Sequence, residues 1–332
     1  MKKLKAVQIG TGHDHYFAPA NSLKKRNDVD FAGFVRVEND VKTLGGVPEL
    51  SLSDVLKADD IDAVFIETED KYLTEYAYEF VSRGIPVHMD KPGGQDKAEF
   101  DALFDLARDK KVPLHLGYMY RYNPAVKRAI ELVKSGELGK ILYVEAQMDC
   151  LHGEEKRRWL KDYKGGMMNF LGCHLIDLLL LLQGVPDEVT PYNSASGDGV
   201  GEDIGFAVFR YGNNASFVKA TAVEAGGFNR RQIVVCGEKG TFEIRPTEYY
   251  FAGGGDMIKT DACLSLISER DGLPVSRTEK TTFGPFDRYD EMYGEFFGIV
   301  RGETANPYTY EYEKLLHDTV LRTCGITVRG AV

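Results

Sequence analysis

A glycine pair directly after a short apolar segment is the feature that most constrains the fold of this 332-residue chain. Ala6–Ile9 is typical of a buried strand, and it ends in Gly10-Thr11-Gly12. A helical pattern at Ala18–Arg26 and a strand pattern at Asp30–Val37 follow. In a dinucleotide-binding fold the first glycine makes a tight turn and the second lets the backbone approach a pyrophosphate. The third position of that pattern is His15 instead of glycine or alanine, so the pair alone also fits an ordinary strand-to-helix turn.

The alternation of strands and helices continues to residue 116. Ala63–Ile66 is apolar throughout, as a parallel strand covered on both faces requires. The patterns predict further elements in the order helix Tyr72–Arg83, strand Val87–Met89, helix Lys97–Asp109 and strand Pro113–Leu116. Strands separated by helices in this way indicate βαβ units and a doubly wound α/β sheet.

The pattern changes after about residue 125, where short strand-like segments outnumber helices. The apolar helix Leu171–Gln183 and the helix Ala125–Ser135 stand among strands predicted at Ile141–Met148, Ala207–Tyr211, Ser216–Ala222, Gln232–Cys236 and Thr241–Ile244. This pattern predicts an α+β domain with a large, mostly antiparallel sheet. We therefore expect an N-terminal domain at 1–121 and a second domain at 122–332, whose C-terminal helix Tyr310–Arg322 packs back on the first.

Composition excludes several classes of protein. With 51 acidic against 41 basic residues the net charge is −10, which disfavours a non-specific nucleic-acid binder. The longest apolar stretch, Leu175–Leu182, is interrupted by Asp177 and is far shorter than the roughly 20 residues of a membrane span. Five cysteines without a C-x-x-C spacing fit a reducing compartment, so we expect a cytoplasmic protein.

Polar residues near the glycine pair bear on the cofactor. A dinucleotide fold that binds NAD has an acid at the end of the second strand, where this chain has Arg36. An arginine there can pair with the 2′-phosphate of NADP, so the sequence slightly favours NADP over NAD; the alternative is a solvated arginine with Glu38 supplying the acid. His13, Asp14 and His15 are spaced like zinc ligands, but a nucleotide bound at the glycines would crowd them. We therefore expect no metal.

Three ordered segments carry a family resemblance. They are Met89-Asp90-Lys91-Pro92, the stretch from Gly117 to Pro124 that contains Arg121-Tyr122-Asn123, and the stretch from Gly165 to Asp177 that contains His174. In these motifs the chain resembles the glucose–fructose oxidoreductase, inositol dehydrogenase and rhizopine-catabolism (Gfo/Idh/MocA) family, and the resemblance runs nearly end to end. It implies an N-terminal Rossmann domain followed by a domain built on a large open sheet.

The resemblance implies roles for individual residues. Lys91 matches the lysine that contacts the reacting hydroxyl and the nicotinamide, and His174 matches the histidine that accepts the hydroxyl proton. A histidine suits that task near neutral pH, and an ammonium stabilises the developing alkoxide. The residues expected to bind cofactor are Gly10, Thr11, Gly12, His13, His15, Arg36, Thr68, Asp90, Lys91, Pro92 and Arg121. Those expected to contact substrate are Tyr120, Asn123, His152, Trp159, Asn169, Phe170 and Asp177.

The chain departs from the family pattern at one telling position. Four residues before His174, where the family has an aspartate on the same helical face, this chain has Phe170. The usual pairing of a carboxylate with the imidazole is therefore missing unless Asn169 or another group substitutes. The glutamate before Lys-Pro is Asp90, and two acids, Glu69 and Asp70, follow Thr68 after the third strand.

The sequence predicts an NAD(P)-dependent oxidoreductase that acts on a sugar, polyol or related cyclic hydroxyl compound, as a homodimer or homotetramer. One alternative is a lyase or glycosidase that keeps its cofactor and uses transient oxidation. The other is a nucleotide-binding sensor whose catalytic helix has decayed at Phe170.

Overall fold

The computed structural model describes residues 3–38, 40 and 42–327. The chain divides into two compact units. Unit 1 comprises Met1–Met119 and Tyr289–His317, and unit 2 comprises Tyr120–Arg288 and Asp318–Val332. Across the described ranges, every helix is too short or too polar to cross a lipid bilayer.

The described elements follow one another along both units. The strands are β1 (Leu4–Ile9), β2 (Val29–Val35), β3 (Ala63–Ile66), β4 (Val87–Met89), β5 (Leu114–Leu116), β6 (Ile141–Asp149), β7 (Glu188–Pro191), β8 (Ile204–Tyr211), β9 (Asn214–Thr221), β10 (Gln232–Gly237), β11 (Gly240–Ile244), β12 (Tyr249–Tyr250), β13 (Ile258–Arg270) and β14 (Leu273–Phe286). The α-helices are α1 (Phe17–Leu23), α2 (Leu52–Lys57), α3 (Leu73–Ser82), α4 (Lys97–Lys110), α5 (Pro124–Lys134), α6 (Glu154–Trp159), α7 (Cys173–Gln183), α8 (Asp290–Val300) and α9 (Tyr310–Thr323).

Unit 1 contains the predicted parallel sheet. Its described strands run in the order β2-β1-β3-β4-β5, and each neighbouring pair is parallel. The strand order reverses between β1 and β3, which creates a switch point at the carboxyl end of the sheet. The register pairs Ile9 with both Val35 and Ile66, so the residues that follow β1, β2 and β3 emerge at one edge. This edge is where an open α/β sheet binds its ligand.

The core of unit 1 is centred on β3, whose four residues are all buried. The ring of Phe65 lies 5.3 Å from the ring of His88 and 5.4 Å from that of Tyr293. Phe296 and Phe297 also pack against it, so α8 returns late in the chain to cover the sheet. The sequence patterns did not predict α8.

Unit 2 contains the predicted second sheet. Its described strands run in the order β12-β13-β11-β10-β6-β9-β8-β7, and β14 pairs with β13. The β6–β9 pair is parallel and the other pairs are antiparallel, which confirms the mostly antiparallel prediction. Helix α7, buried along almost its whole length, packs on β6 and so covers part of the sheet.

The sequence did not predict the longest strands of unit 2. Strands β13 and β14 form a hairpin in which almost all of β14 is exposed. The middle of β14, at 276–282, is polar and charged, and the apolar residues at its ends are exposed or half-buried, so β14 lacks the alternation of buried and exposed positions by which strands are recognised.

Candidate functional site

The glycine loop lies at the switch point, directly against the segment that follows β3. Gly10 has φ +89°, and a Cβ atom there would lie 2.7 Å from the Thr68 side chain. A Cβ at Gly12 would lie 2.6 Å from the backbone nitrogen of Glu69. Both glycines are therefore required by close approach, and the structure brings Gly10, Gly12 and Thr68 together as predicted.

An acid that the sequence analysis did not single out, Asp40, contacts the glycine loop. Asp40 Oδ2 accepts hydrogen bonds from the backbone nitrogens of Thr11, at 2.7 Å, and Val37, at 3.2 Å. Burial raises the pKa of the Asp40 carboxyl against these hydrogen bonds. Arg36 is exposed and pairs with Glu49 at 2.9 Å, while Glu38 accepts a hydrogen bond from Tyr76. Sequence reasoning missed Asp40 because it lies five residues beyond the end of β2.

A compact polar cluster joins the loop after β1 to the ends of β3 and β4. His13 Nδ1 lies 2.7 Å from Asp90 Oδ2, and His15 Nδ1 lies 3.3 Å from the same oxygen. Glu67, which follows β3, has its Oε2 4.0 Å from His13 Nδ1. Glu67 was missed in the sequence, where a charged residue immediately after four wholly apolar residues is the signal that could have found it.

The two carboxyls of this cluster have opposite pKa shifts. Burial, followed by the charge of Asp90, raises the pKa of Glu67 well above its ordinary value. Burial also acts to raise the pKa of Asp90, but the charges and hydrogen bonds of His13 and His15 outweigh it and hold the Asp90 pKa well below its usual range. Burial lowers the pKa of His15.

Lys91 is fully buried directly after β4. Its backbone nitrogen donates to Asp90 Oδ1 at 2.7 Å, which fixes where the side chain leaves the strand. Pro92 follows through a cis peptide bond, and the backbone nitrogen of Gly94 donates to Asp70 Oδ1 at 3.0 Å. The loop after β4 is thereby tied to the segment after β3. A lysine is rarely buried so completely unless its environment holds polar or charged partners.

The Arg-Tyr-Asn-Pro motif of unit 2 has a clear structural role. Arg121 donates two hydrogen bonds to Asp177, at 2.9 and 2.8 Å, and both side chains are buried. Asn123 Oδ1 accepts from the first backbone nitrogens of α5, and its Nδ2 donates to the Thr247 carbonyl at 2.9 Å. These hydrogen bonds give Arg121, Asn123 and Asp177 a structural role within unit 2. The cofactor contact expected of Arg121 and the substrate contacts expected of Asn123 and Asp177 stay predictions.

His174 begins α7 and is buried beside Tyr120. The two rings meet edge to face with centroids 5.0 Å apart. The Tyr120 hydroxyl donates to Glu248 Oε1 at 2.8 Å, and burial, followed by the charge of Glu248, raises the Tyr120 pKa so that the hydroxyl keeps its proton. Arg231 and Arg288 also bind Glu248, each at under 3 Å. Glu248 and both arginines were missed in the sequence, since none lies in a recognisable motif.

The helix before His174 differs from the expected α-helix. Met168–Gly172 forms a single π-helical turn, in which hydrogen bonds run from residue i to residue i+5. Asn169 and Phe170 both lie in this π turn, and both side chains are buried. Phe170 stands where the family has an aspartate, and the substitution of Asn169 for that carboxylate stays a prediction.

Phe170 belongs to an aromatic cluster with Trp159 and His152. Its ring lies 5.4 Å from Trp159, edge to face, and 6.2 Å from His152. The Lys156 ammonium lies over both rings, 3.4 Å from the Trp159 centroid and 4.2 Å from that of Phe170. The structure thus brings His152, Trp159 and Phe170 together, and their contact with a substrate stays a prediction.

Two family models match the chain. The oxidoreductase family with an NAD-binding Rossmann fold matches residues 9–118, and the GFO/IDH/MocA C-terminal domain matches residues 126–243. D-xylose 1-dehydrogenase (NADP(+)) 2 of Haloferax volcanii is 32% identical over 160 residues, which is 48% of each chain. The match therefore spans about half the length of that relative.

Solved structures share the fold over nearly the whole chain. UDP-N-acetylglucosamine 3-dehydrogenase GnnA from Acidithiobacillus ferrooxidans superposes with a TM-score of 0.77 at 18% identity, over 97% of each chain. A levoglucosan dehydrogenase in complex with NADH and levoglucosan superposes with a TM-score of 0.74 at 18% identity, over 98% of each chain. At such identities the likeness shows the fold. Together with the two matching family models, it shows that the chain belongs to the Gfo/Idh/MocA oxidoreductase family.

Proposed function

We propose that this protein is an NAD(P)-dependent dehydrogenase that transfers a hydride between nicotinamide and a hydroxyl-bearing carbon of a sugar, polyol or related cyclic compound. The observation that carries the proposal is a fully buried lysine, Lys91, that follows β4 of a sheet with a glycine turn at its switch point. The relatives that act on xylose and levoglucosan support the substrate class.

The glycine loop fits a dinucleotide. A side chain at Gly10 or Gly12 would collide with the segment after β3, so the turn after β1 requires glycine at both positions, as the close-packed loop of a dinucleotide fold does. Thr68 and the loop from Asp90 to Pro92 emerge at the same edge and complete the proposed binding residues. When bound, the nicotinamide supplies the hydride acceptor or donor.

Lys91 stabilises charge on the substrate, and His174 accepts a proton from it. The Lys91 ammonium, held in a dry environment, stabilises the alkoxide that forms as the substrate loses its proton, because charge interactions strengthen where water is excluded. The His174 imidazole accepts that proton. Tyr120, whose hydroxyl is fixed by Glu248, packs its ring against His174 and orients the imidazole.

The protein prefers NAD to NADP under this proposal, in contrast to the preference that Arg36 suggested in the sequence. Arg36 is neutralised by Glu49, and Asp40 lies against Thr11 in the glycine loop. Carboxylates near the ribose favour hydroxyls and repel a 2′-phosphate. We further propose that the protein is a homodimer or homotetramer.

The catalytic assignment is tested by measuring the absorbance of reduced nicotinamide with a panel of sugars and polyols. Lys91→Met, which keeps the packing volume, and His174→Gln should each lower kcat/KM by about 10²- to 10⁴-fold while cofactor affinity stays within about threefold. Lys71→Met, at an exposed lysine, is the matched control. Full turnover by Lys91→Met would refute the assignment, and cofactor binding without turnover on any substrate would refute the activity.

The cofactor preference is tested by the ratio of the two dissociation constants. NAD should bind more tightly than NADP, so the Kd for NADP divided by the Kd for NAD should exceed one. Asp40→Ala should reduce this ratio by about tenfold or more, whereas Arg36→Ala should barely change it. A strong loss of NADP binding in Arg36→Ala would instead support the original preference for NADP.

A further inference from the structure

Three metal-binding side chains converge at the carboxyl edge of the unit 1 sheet. His13 and His15 come from the loop after β1, and Asp90 comes from the end of β4. Their nearest ligand-type atoms all lie within 4.8 Å of one another. His13 and Asp90 are buried, and the His15 side chain is 18% exposed, so the cluster has one side open to solvent.

Three atoms that can coordinate a metal lie close together in this cluster. Asp90 Oδ2 faces the Nδ1 atoms of both histidines, at 2.7 and 3.3 Å. The backbone nitrogen of His15 lies 3.2 Å from the same His13 Nδ1, so the loop after β1 brings a further polar group to this point. A carboxylate oxygen and two imidazole nitrogens brought this close need a cation or protons between them.

An independent observation supports a cation. Glu67 is 1% exposed, and its Oε2 has no hydrogen-bond partner. The same oxygen lies 4.0 Å from His13 Nδ1, at the edge of the cluster. A buried carboxyl oxygen without a partner is costly, and coordination to an ion would satisfy it.

We propose that His13, His15 and Asp90 bind one divalent transition-metal ion, with Glu67 as a fourth donor. Two imidazoles and one or two carboxylates suit Zn²⁺, Co²⁺, Mn²⁺ or Fe²⁺ and not the all-oxygen preference of Mg²⁺ and Ca²⁺. Donors around a zinc ion lie about 3 to 3.5 Å from one another, so the side chains need only small shifts to reach it. The site revises the expectation from the sequence, where crowding by a nucleotide argued against a metal.

The experiment measures metal binding directly on the full chain, without cofactor and without turnover. Chelator-treated protein should bind one Zn²⁺ per chain in a calorimetric titration, and Co²⁺ should give visible absorption bands of a nitrogen- and oxygen-coordinated ion. His15→Gln and Asp90→Asn should each weaken Zn²⁺ binding by about 10- to 100-fold or more. Asp14→Asn is the matched control, because this exposed carboxylate stands between the two histidines but outside the cluster.

The outcomes separate this site from the proposed dehydrogenase. Absence of stoichiometric Zn²⁺ binding, or equal affinity in the wild type and His15→Gln, would overturn the metal site and leave the hydride-transfer proposal standing. Because His15 is partly exposed, its variant tests the site even where Asp90→Asn fails to fold. A loss of binding in Asp14→Asn as large as that in His15→Gln would also overturn it.

Discussion

A single carboxylate, Glu248, holds three side chains from distant parts of unit 2. Its two oxygens accept from Tyr120, Arg231 and Arg288, and it is 1% exposed. A buried charge with three donors is satisfied, but each donor loses its partner when the carboxylate is removed. Because Tyr120 packs on His174, Glu248 acts on the imidazole from a distance as a positioning residue.

We expect Glu248→Gln to lower the free energy of unfolding by about 3 kcal/mol, since it leaves the buried Arg231 and the partly buried Arg288 without their shared counter-charge. Tyr120→Phe removes the hydrogen bond donated to Glu248 and the one accepted from Arg231, and it should cost only about 1 to 2 kcal/mol. Urea unfolding of both variants measures the difference. Equal losses of unfolding free energy in the two variants would contradict the view that the negative charge of Glu248 stabilises the two arginines.

At the scale of elements, the π turn before α7 contains the buried Asn169 and leads directly to His174. We expect Asn169 to supply the polar partner that Phe170 cannot offer to the imidazole, so Asn169→Ala should lower kcat more than it changes KM. Asn169→Asp should retain more activity than Asn169→Ala, because a carboxylate can also form a hydrogen bond with the imidazole. The steady-state kinetics of the two variants decide this, and identical kinetics would contradict the assignment.

The first half of helix α9 is anchored within unit 1 by a buried histidine. The His317 ring stacks on Phe100 with centroids 3.8 Å apart, and Nε2 lies 3.1 Å from the Gly94 carbonyl oxygen. Tyr310 of the same helix donates to the Val112 carbonyl at 2.8 Å. Burial lowers the pKa of His317 to about 4, so the folded protein holds this imidazole neutral.

The His317 pKa predicts a loss of stability in acid. The unfolded chain binds the proton near pH 6.5 and the folded chain only near pH 4, so the stabilisation is present above pH 6.5 and falls as the pH drops through that window. The total loss is about 3 kcal/mol. His317→Gln should lose correspondingly less stability between neutral pH and pH 4, measured by urea unfolding. Tyr310→Phe should keep the wild-type slope, and a His317→Gln slope equal to the wild type would contradict the prediction.

At the scale of the whole molecule, the net charge disfavours polyanionic partners, and exposed apolar residues favour association between copies of the chain. The net charge of −10 opposes binding to polyanions. Leu273 and Val275, 66% and 40% exposed, lie two residues apart on β14 and therefore share one face of the hairpin. Apolar side chains exposed together on a sheet favour association with another surface.

Light scattering should give twice or four times the mass of the chain. The double variant Leu273→Lys, Val275→Lys should shift the protein toward the monomer, because it places two like charges on that face. Val185→Lys, at another exposed apolar residue, should not. A monomeric wild type, or a double variant with unchanged mass, would contradict the proposal.

Local patterns in the sequence determined the order of elements from β1 to β5 and the glycine turn after β1. Ala63–Ile66 and Val87–Met89 are confirmed as strands with those bounds, because burial on both faces requires an apolar run that can be read without tertiary information. The exposed strand β14 carries no such pattern and was missed.

Only the tertiary structure decided which side chains meet. Glu67 and Asp90 follow different strands, and they lie together with His13 because the carboxyl ends of parallel strands share one edge. Glu248 is likewise separated by 128 residues from the tyrosine it holds. Periodicity encodes which residues are buried but not the order of strands in a sheet or a one-residue change of helical register. The clusters around Asp90 and Glu248 depend on the order of strands, and the π turn before His174 depends on the helical register.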